Sequence, residues 1–187
     1  MVPKCELKFG ESVAVIGCGG VGLNLIQAAS MKSATPIFGV DINQTMRDLS
    51  IEMGADGFTS DLSSIPMQVD VIIDTTGNAE VIAKAYNKLA PSGRLILVGQ
   101  PAPGKSVELP NAVSMFDGAG KSIRATQGGR TDPETDIPRY IGLAKKEILD
   151  YKSLHTDTFS LDEVNDAFDL LKSGNAGRIM IAIGEEE

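Results

Sequence analysis

The stretch that most constrains this chain is Ser12–Asp41, SVAVIGCGGVGLNLIQAASMKSATPIFGVD. An apolar, strand-sized run, Ser12–Ile16, feeds directly into Gly17-Cys18-Gly19-Gly20-Val21-Gly22. A helical pattern follows, and a second apolar run, Pro36–Val40, ends on the acid Asp41. Two strands joined by a helix-length crossover lie parallel, so this order predicts a βαβ unit. The glycines stand at G-x-G-x-x-G spacing, and each has a physical task. Gly17 permits a tight turn, Gly19 lets phosphates approach the backbone, and Gly22 lets the helix pack close to the strand. The helix N-terminus, around Gly20 and Val21, is then aimed at an anion. Asp41 lies 19 residues beyond Gly22, the separation at which an acid meets ribose hydroxyls. A glycine loop alone is a weak signal. Strand, glycines, helix, strand and acid in one register imply a dinucleotide site.

The rest of the chain continues the alternation. Gly22–Met31 reads as a helix with Leu23, Ile26 and Gln27 on one side. Gln44–Met53 reads as a second helix, with Asn43 as N-cap and Gly54 as stop. Gly57–Thr59 is a short strand, and Val69–Asp74 has the continuous apolar pattern of a strand buried on both faces. Ala79–Leu89 is helical and Pro91-Ser92-Gly93 breaks it. Arg94–Gly99 is the next buried strand, and Ser122–Thr126 the sixth. These elements predict an α/β fold, a doubly wound parallel sheet of the Rossmann type with strand order 3-2-1-4-5-6. Right-handed crossovers favour that order and place the ligand at the switch point between strands 1 and 4.

Residues 129–187 depart from the pattern, so the expected division is a dinucleotide-binding domain over 1–128 and a C-terminal helix-and-strand tail over 129–187. The tail reads as a helix from about Pro138 to Lys146 and an amphipathic helix over Leu161–Ser173. On the latter, Val164, Ala167, Phe168 and Leu171 recur at helical spacing. Gly174 stops it, and Arg178–Ile183 is a closing strand.

A net charge of −8 argues against a nucleic-acid surface. The longest apolar runs, such as Val69–Ile73, are far short of a membrane span. The N-terminal segment MVPKCELKFG has no apolar signal core, and two cysteines make no disulfide framework; both point to a cytoplasmic protein. Cys5, Cys18 and His155 are the whole complement of cysteine and histidine, too few for a tetrahedral zinc site. Tyr86, Tyr140 and Tyr151 each lack a lysine four residues on, so the Tyr-Lys pair of short-chain dehydrogenases is missing. Cys18 reads as a filler of a small position, His155 as a packing or surface residue. Asp74 serves equally as a cofactor contact or as a loop cap. No side chain stands out as a catalytic acid or base.

Several segments together resemble the coenzyme domain of zinc-type medium-chain alcohol dehydrogenases: GCGGVGLNLIQAA, Val40-Asp41-Ile42-Asn43, Met53-Gly54-Ala55-Asp56, Thr76-Gly77-Asn78, and Gly93 through Gly99. The tail matches from Thr158-Phe159 through Val164-Asn165, Ala167-Phe168 and Ser173-Gly174 to Arg178. The resemblance covers nearly the whole chain. It implies that Gly17, Gly19, Gly20, Val21 and Gly22 form the pyrophosphate loop, that Asp41, with Ile42 beside it, is the ribose acid, and that the cofactor is NAD. It also implies that Thr75, Thr76 and Gly77, with Val98, Gly99 and Gln100, line the nicotinamide side. Arg178 falls where the family places an arginine on the pyrophosphate. Where the family often has a lysine five residues after the ribose acid this chain has Met46. Arg47 is the adjacent cation, turned about 100° along a helix.

The resemblance further implies a zinc-bearing catalytic domain that this chain lacks, so alone it would bind dinucleotide and catalyse nothing. The intact parent would transfer a hydride between an alcohol or carbonyl and nicotinamide. One rival is an NADPH-dependent quinone or enoyl reductase domain, against which Gly17 and Asp41 count. Another is a non-catalytic dinucleotide-binding or interaction module. The Ser122–Gln127 strand would end the sheet with unpaired backbone groups, no proline and one interior charge, Arg124. An edge of this kind invites a partner, and the family pairs it across a two-fold axis, so a homodimer is expected.

Overall fold

The computed structural model describes residues 5–109, 111–174 and 176–184. Its centre is a six-stranded parallel sheet in the order β3-β2-β1-β4-β5-β6, as the alternation predicts. The strands are β1 (Val13–Ile16), β2 (Ile37–Val40), β3 (Gly57–Thr59), β4 (Val69–Asp74), β5 (Leu89–Leu97) and β6 (Ser122–Ala125). β1 pairs with β2 on one side and β4 on the other. The chain therefore winds in both directions from β1, and a crevice opens at its C-terminal end.

Both faces of the sheet are covered, which is why the central strands are apolar throughout. Helices α1 (Gly20–Met31) and α2 (Arg47–Glu52) bury Leu23, Leu25, Ile26 and Met53 against Val13, Val15, Val71, Ile73 and Ile96. Helix α3 (Ala79–Lys88) buries Ile82, Ala85 and Tyr86 against Ala14, Ile16, Ile72 and Leu95. Successive residues of β1 thus serve opposite cores, as a two-residue period requires. Each fully buried Ile or Leu contributes about 1.5–3 kcal/mol of hydrophobic stabilisation.

Local signals act where they were expected. Asn43 caps the 3-10 turn Gln44–Met46 through the Thr45 N–H, and Gly54 closes α2 at φ +105°; Asn78, which the sequence reading does not mark as a cap, accepts from Glu80 and Val81 N–H at the start of α3. The expected helix over Gln44–Met53 divides into that 3-10 turn and the short α2. Pro91-Ser92-Gly93 does not end an element. It lies within β5, where the ladder to β4 jumps from Val69↔Leu89 to Val71↔Arg94, so the breaker residues form the bulge.

The tail adds α4 (Pro133–Lys145), β7 (His155–Ser160), α5 (Val164–Ser173) and β8 (Arg178–Ala182). α4 begins earlier than Pro138, because Pro133 occupies its first turn, where a missing N–H costs nothing. Strand β7 is an element that the alternation does not announce. It pairs with β8 as a separate two-stranded parallel sheet. The face of α5 that reads as apolar is only partly covered: Ala167 is buried, whereas Phe168 and Leu171 are each 54% exposed. The tail is fastened to the sheet domain by polar bonds. Gln27 donates Nε2–H to Asp150 O and accepts the Asp150 N–H, both at 2.9 Å, and Ser153 Oγ donates to Glu52 at 2.8 Å. Leu154 enters the core beside α1.

Candidate dinucleotide-binding site

The crevice at the C-terminal ends of β1 and β4 is built from backbone. Gly17 takes φ +85° and donates its N–H to Val40 O at 2.8 Å, turning the chain out of β1 beside the end of β2. A side chain here would collide with Thr75 Oγ1. Thr75 Oγ1 itself donates to Ile16 O at 2.9 Å, tying β4 to the same turn. Gly22 is in closer contact still, since a Cβ there would overlap Gly17 O and come within 2.9 Å of Gly17 C. Helix α1 can therefore start this near the strand only without a side chain at 22.

Gly19 is different. It is the N-cap of α1, with φ −74° and no side-chain cap for the first-turn amides, and a Cβ on it would meet nothing within 4 Å. The open space at Gly19 lies in front of amides that want an acceptor. A Cβ on Gly20 would lie 3.6 Å from Arg178 Nη2, so the guanidinium from the first residue of β8 stands at the same helix end. Val21 is 44% exposed. The arrangement offers N–H donors, a helix N-terminus and an always-charged cation to one anion.

Asp41 follows β2 at the rim. Its Oδ2 accepts the Cys18 N–H at 2.7 Å and its Oδ1 accepts the Asn43 N–H at 2.8 Å, which orients the carboxylate and leaves further lone pairs on both oxygens. Ile42 beside it is 90% exposed, and Met46 is 5% exposed. Met46 packs in the core beside α1, while Arg47 carries its side chain to solvent. At this turn, therefore, residue 47 rather than 46 presents a side chain outward.

Opposite this rim, the loops after β4 and β5 interlock. A Cβ on Gly77, at φ +66°, would strike the Gln100 backbone, and one on Gly99 would strike Gly77 N and Thr75. Val98 and Gly99 both donate N–H to Asp74 O. Thr76 and Gln100 are exposed. Asp74 itself is fully buried. Its carboxylate accepts Thr76 Oγ1 at 2.6 Å and Gly77 N–H at 2.9 Å, so it caps the loop and has no free path to a ligand.

Two further residues differ in setting, Cys18 being buried and His155 exposed. Burial pushes the Cys18 thiol up from 9.0 to about 11; a bond with Ser50 opposes the rise and the Asp41 charge adds to it. His155 is exposed, with Nε2 against Thr158 Oγ1 at 2.8 Å. Among the described residues no group of three or more His, Cys, Asp or Glu is placed to hold a metal ion, and no helix is long and apolar enough to cross a membrane.

One contact of the site has no motif behind it. Asn43 Nδ2–H donates to Gly174 O at 2.7 Å across 131 residues. With Arg178 at Gly20, the turn after α5 touches both the acid's loop and the glycine loop. Asn43 is legible in the sequence only as a cap.

A family model described as zinc-binding dehydrogenase matches residues 20–146. The chain belongs to the zinc-binding dehydrogenase family. Within it, this domain is 28% identical over 192 residues to alcohol dehydrogenase-like 3 of Arabidopsis thaliana, an alignment that covers 96% of the chain and 48% of that relative. It is also 28% identical to the S-(hydroxymethyl)glutathione dehydrogenase of Photobacterium damsela subsp. piscicida, covering 94% of the chain and 50% of that protein. The fold matches benzyl alcohol dehydrogenase from Acinetobacter calcoaceticus with a TM-score of 0.90 at 22% identity, over 98% of this chain and 52% of that one. This zinc-binding dehydrogenase domain thus spans about half the length of the curated relatives it matches.

Proposed function

We propose that the chain is the NAD(H)-binding half of an alcohol dehydrogenase-type oxidoreductase. The observation that carries this reading is the seat at Gly19, open to 4 Å around a would-be Cβ, with Arg178 beside the adjoining Gly20. In it the first-turn amides of α1 and the guanidinium hold the pyrophosphate. Asp41, oriented by Cys18 and Asn43, accepts from the adenosine ribose hydroxyls, and exposed Ile42 covers the adenine side. Thr75, Thr76 and Gly77, with Val98, Gly99 and Gln100, line the nicotinamide side, their loops held rigid by Asp74. Arg47 supplies a solvent-facing cation near the ribose. The nicotinamide carries the hydride; this chain's residues bind and orient it. A carboxylate at position 41 repels a 2′-phosphate, which disfavours the NADPH-dependent reductase alternative.

The partner is the rest of a longer chain, with zinc and the alcohol pocket belonging to that other half. The tail, 129–187, supports this. Helix α4 buries no residue, and Tyr140, Ile141, Phe168, Leu171 and Met180 are all roughly half exposed. Two parallel strands alone, β7 and β8, also make a weak sheet. A second copy pairs at β6, whose Ile123 is 36% exposed at the sheet edge. The two cysteines, both buried and neither in a disulfide, suit a reducing cytoplasmic setting.

Calorimetric titration of the 187-residue chain with NADH and NADPH tests the reading, alongside elemental analysis and an alcohol oxidation assay. Tighter binding of NADH, no stoichiometric zinc and no oxidation are expected. Failure to bind either dinucleotide would sink it.

A further inference from the structure

Arg178 stands at Gly20 with no side-chain bond to steer it: among the described residues its guanidinium makes no ion pair and no hydrogen bond. Where its head lies is therefore set by where β8 carries its backbone. The Arg178 N–H donates to Leu154 O at 2.7 Å, and its ladder partner is His155, so β8 starts from the turn that precedes β7. That turn, Asp150–Leu154, is locked within itself, because Asp150 Oδ1 accepts the Lys152 N–H at 2.8 Å and the Ser153 N–H at 3.1 Å. What fixes the turn to the sheet domain is chiefly one side chain. Gln27 of α1 is 6% exposed, and its amide both donates to Asp150 O and accepts the Asp150 N–H. Gln27 lies seven residues beyond Gly20 on α1, about 10 Å along the axis, too far to touch an anion at Gly19. The helix whose N-terminus faces the phosphate seat thus grips, about two turns on, the turn from which Arg178 is delivered to that seat.

Resting on the NAD(H) reading above, we propose that Gln27 is a positioning residue for the dinucleotide: it clasps the Asp150–Leu154 turn so that Arg178 stands over the phosphates. Ser153, whose Oγ donates to Glu52 at 2.8 Å, is a second tie on the same turn. Two parallel strands alone make a weak sheet, so β7 and β8 take their place from the domain to which they are bonded. Without the clasp the guanidinium is ordered only when ligand binds, and the entropy of that ordering is subtracted from affinity.

The test is a double-mutant cycle on the 187-residue chain. Gln27→Met keeps the length and burial of the side chain and removes both bonds, while Arg178→Met removes the guanidinium. NADH is titrated calorimetrically into the parent, each variant and the double variant, and all four are melted without ligand. Arg178→Met should weaken binding about tenfold, the lower end for a hydrogen bond to a charged group. Gln27→Met should weaken it about fivefold in the parent but less than about twofold in the Arg178→Met background, where no guanidinium is left to place. A residue that only stabilises the fold would give the same loss in both backgrounds. That result would overturn the proposal, as would unchanged NADH binding in Gln27→Met. Should Gln27→Met fail to fold, Ser153→Ala takes its place, since its bond lies at the surface: a loss confined to chains that keep Arg178 supports the proposal, and no loss overturns it. Failure of the parent chain to bind NADH would instead show that the dinucleotide reading itself is wrong, and this proposal would fall with it.

Discussion

Asp41 Oδ2 holds the Cys18 N–H at 2.7 Å, so the acid after β2 is locked to the turn after β1. The glycine loop and the acid after β2 are therefore one unit, and disturbing the acid disturbs the loop.

Replacing Asp41 with Asn keeps the size of the side chain but removes the charge. NADH affinity should fall about tenfold, which is about 1.4 kcal/mol and close to the lower end for a charge-assisted hydrogen bond. Discrimination against NADPH should shrink with it, because the repulsion of a 2′-phosphate is gone. Parallel titrations measure both effects; a variant that retains the parent's preference would show that selectivity lies elsewhere.

Gly19 and Gly22 should respond in opposite ways. Gly19→Val places a side chain where nothing stands within 4 Å, at a φ of −74° that any residue adopts. The fold should survive while dinucleotide binding is lost. Gly22→Ala drives a methyl into Gly17 O, which should destabilise the chain by about 2 kcal/mol or more. Thermal melts and titrations of the two variants separate the outcomes. If Gly19→Val binds NADH normally, the phosphate seat is not at this turn.

The thiols should be silent in the folded chain. Cys18 is fully buried with its pKa raised from 9.0 to about 11, and burial raises Cys5 as well. A raised thiol pKa means that the folded state keeps a proton that the unfolded state has released. Stability from Cys18 is therefore intact below pH 9 and declines as pH rises from 9 toward 11, by up to about 1.4 kcal/mol per pH unit. A thiol reagent at pH 8 should label neither cysteine until denaturant is added. One fast-reacting thiol in the native chain would contradict this.

Strand β6 ends the sheet, and Arg124, its single interior charge, is paired with Glu6 at 2.9 Å. With that charge partly neutralised, the edge offers little to deter pairing. Sedimentation should find a dimer, and Ile123→Pro, which deletes a backbone donor and bends the strand, should yield monomers. A parent chain that is already monomeric at high micromolar concentration would remove the edge as an interface.

What the sequence determined by itself is local and periodic. The apolar runs set the strands, the helical spacing of Leu23, Ile26 and Gln27 set the buried side of α1, and the glycine spacing set the turn out of β1 that carries the candidate site. Each signal lies within a few residues, where sterics and hydrophobic burial act without knowledge of the rest of the chain. Strand order followed from them because parallel crossovers leave few topologies.

Tertiary structure alone decided the rest. It turned Asp74 inward to cap Thr76 and Gly77, because that carboxylate is buried and needs donors. It buried Met46 and left Arg47 outside. It raised His155–Ser160 into a strand whose half-exposed faces left no apolar alternation to read. It brought Gly174 to Asn43, and it set Arg178 at Gly20, a placement that only the family resemblance had implied. Contacts between residues more than a hundred positions apart depend on how the tail packs against α1 and α2, and no local pattern encodes that packing.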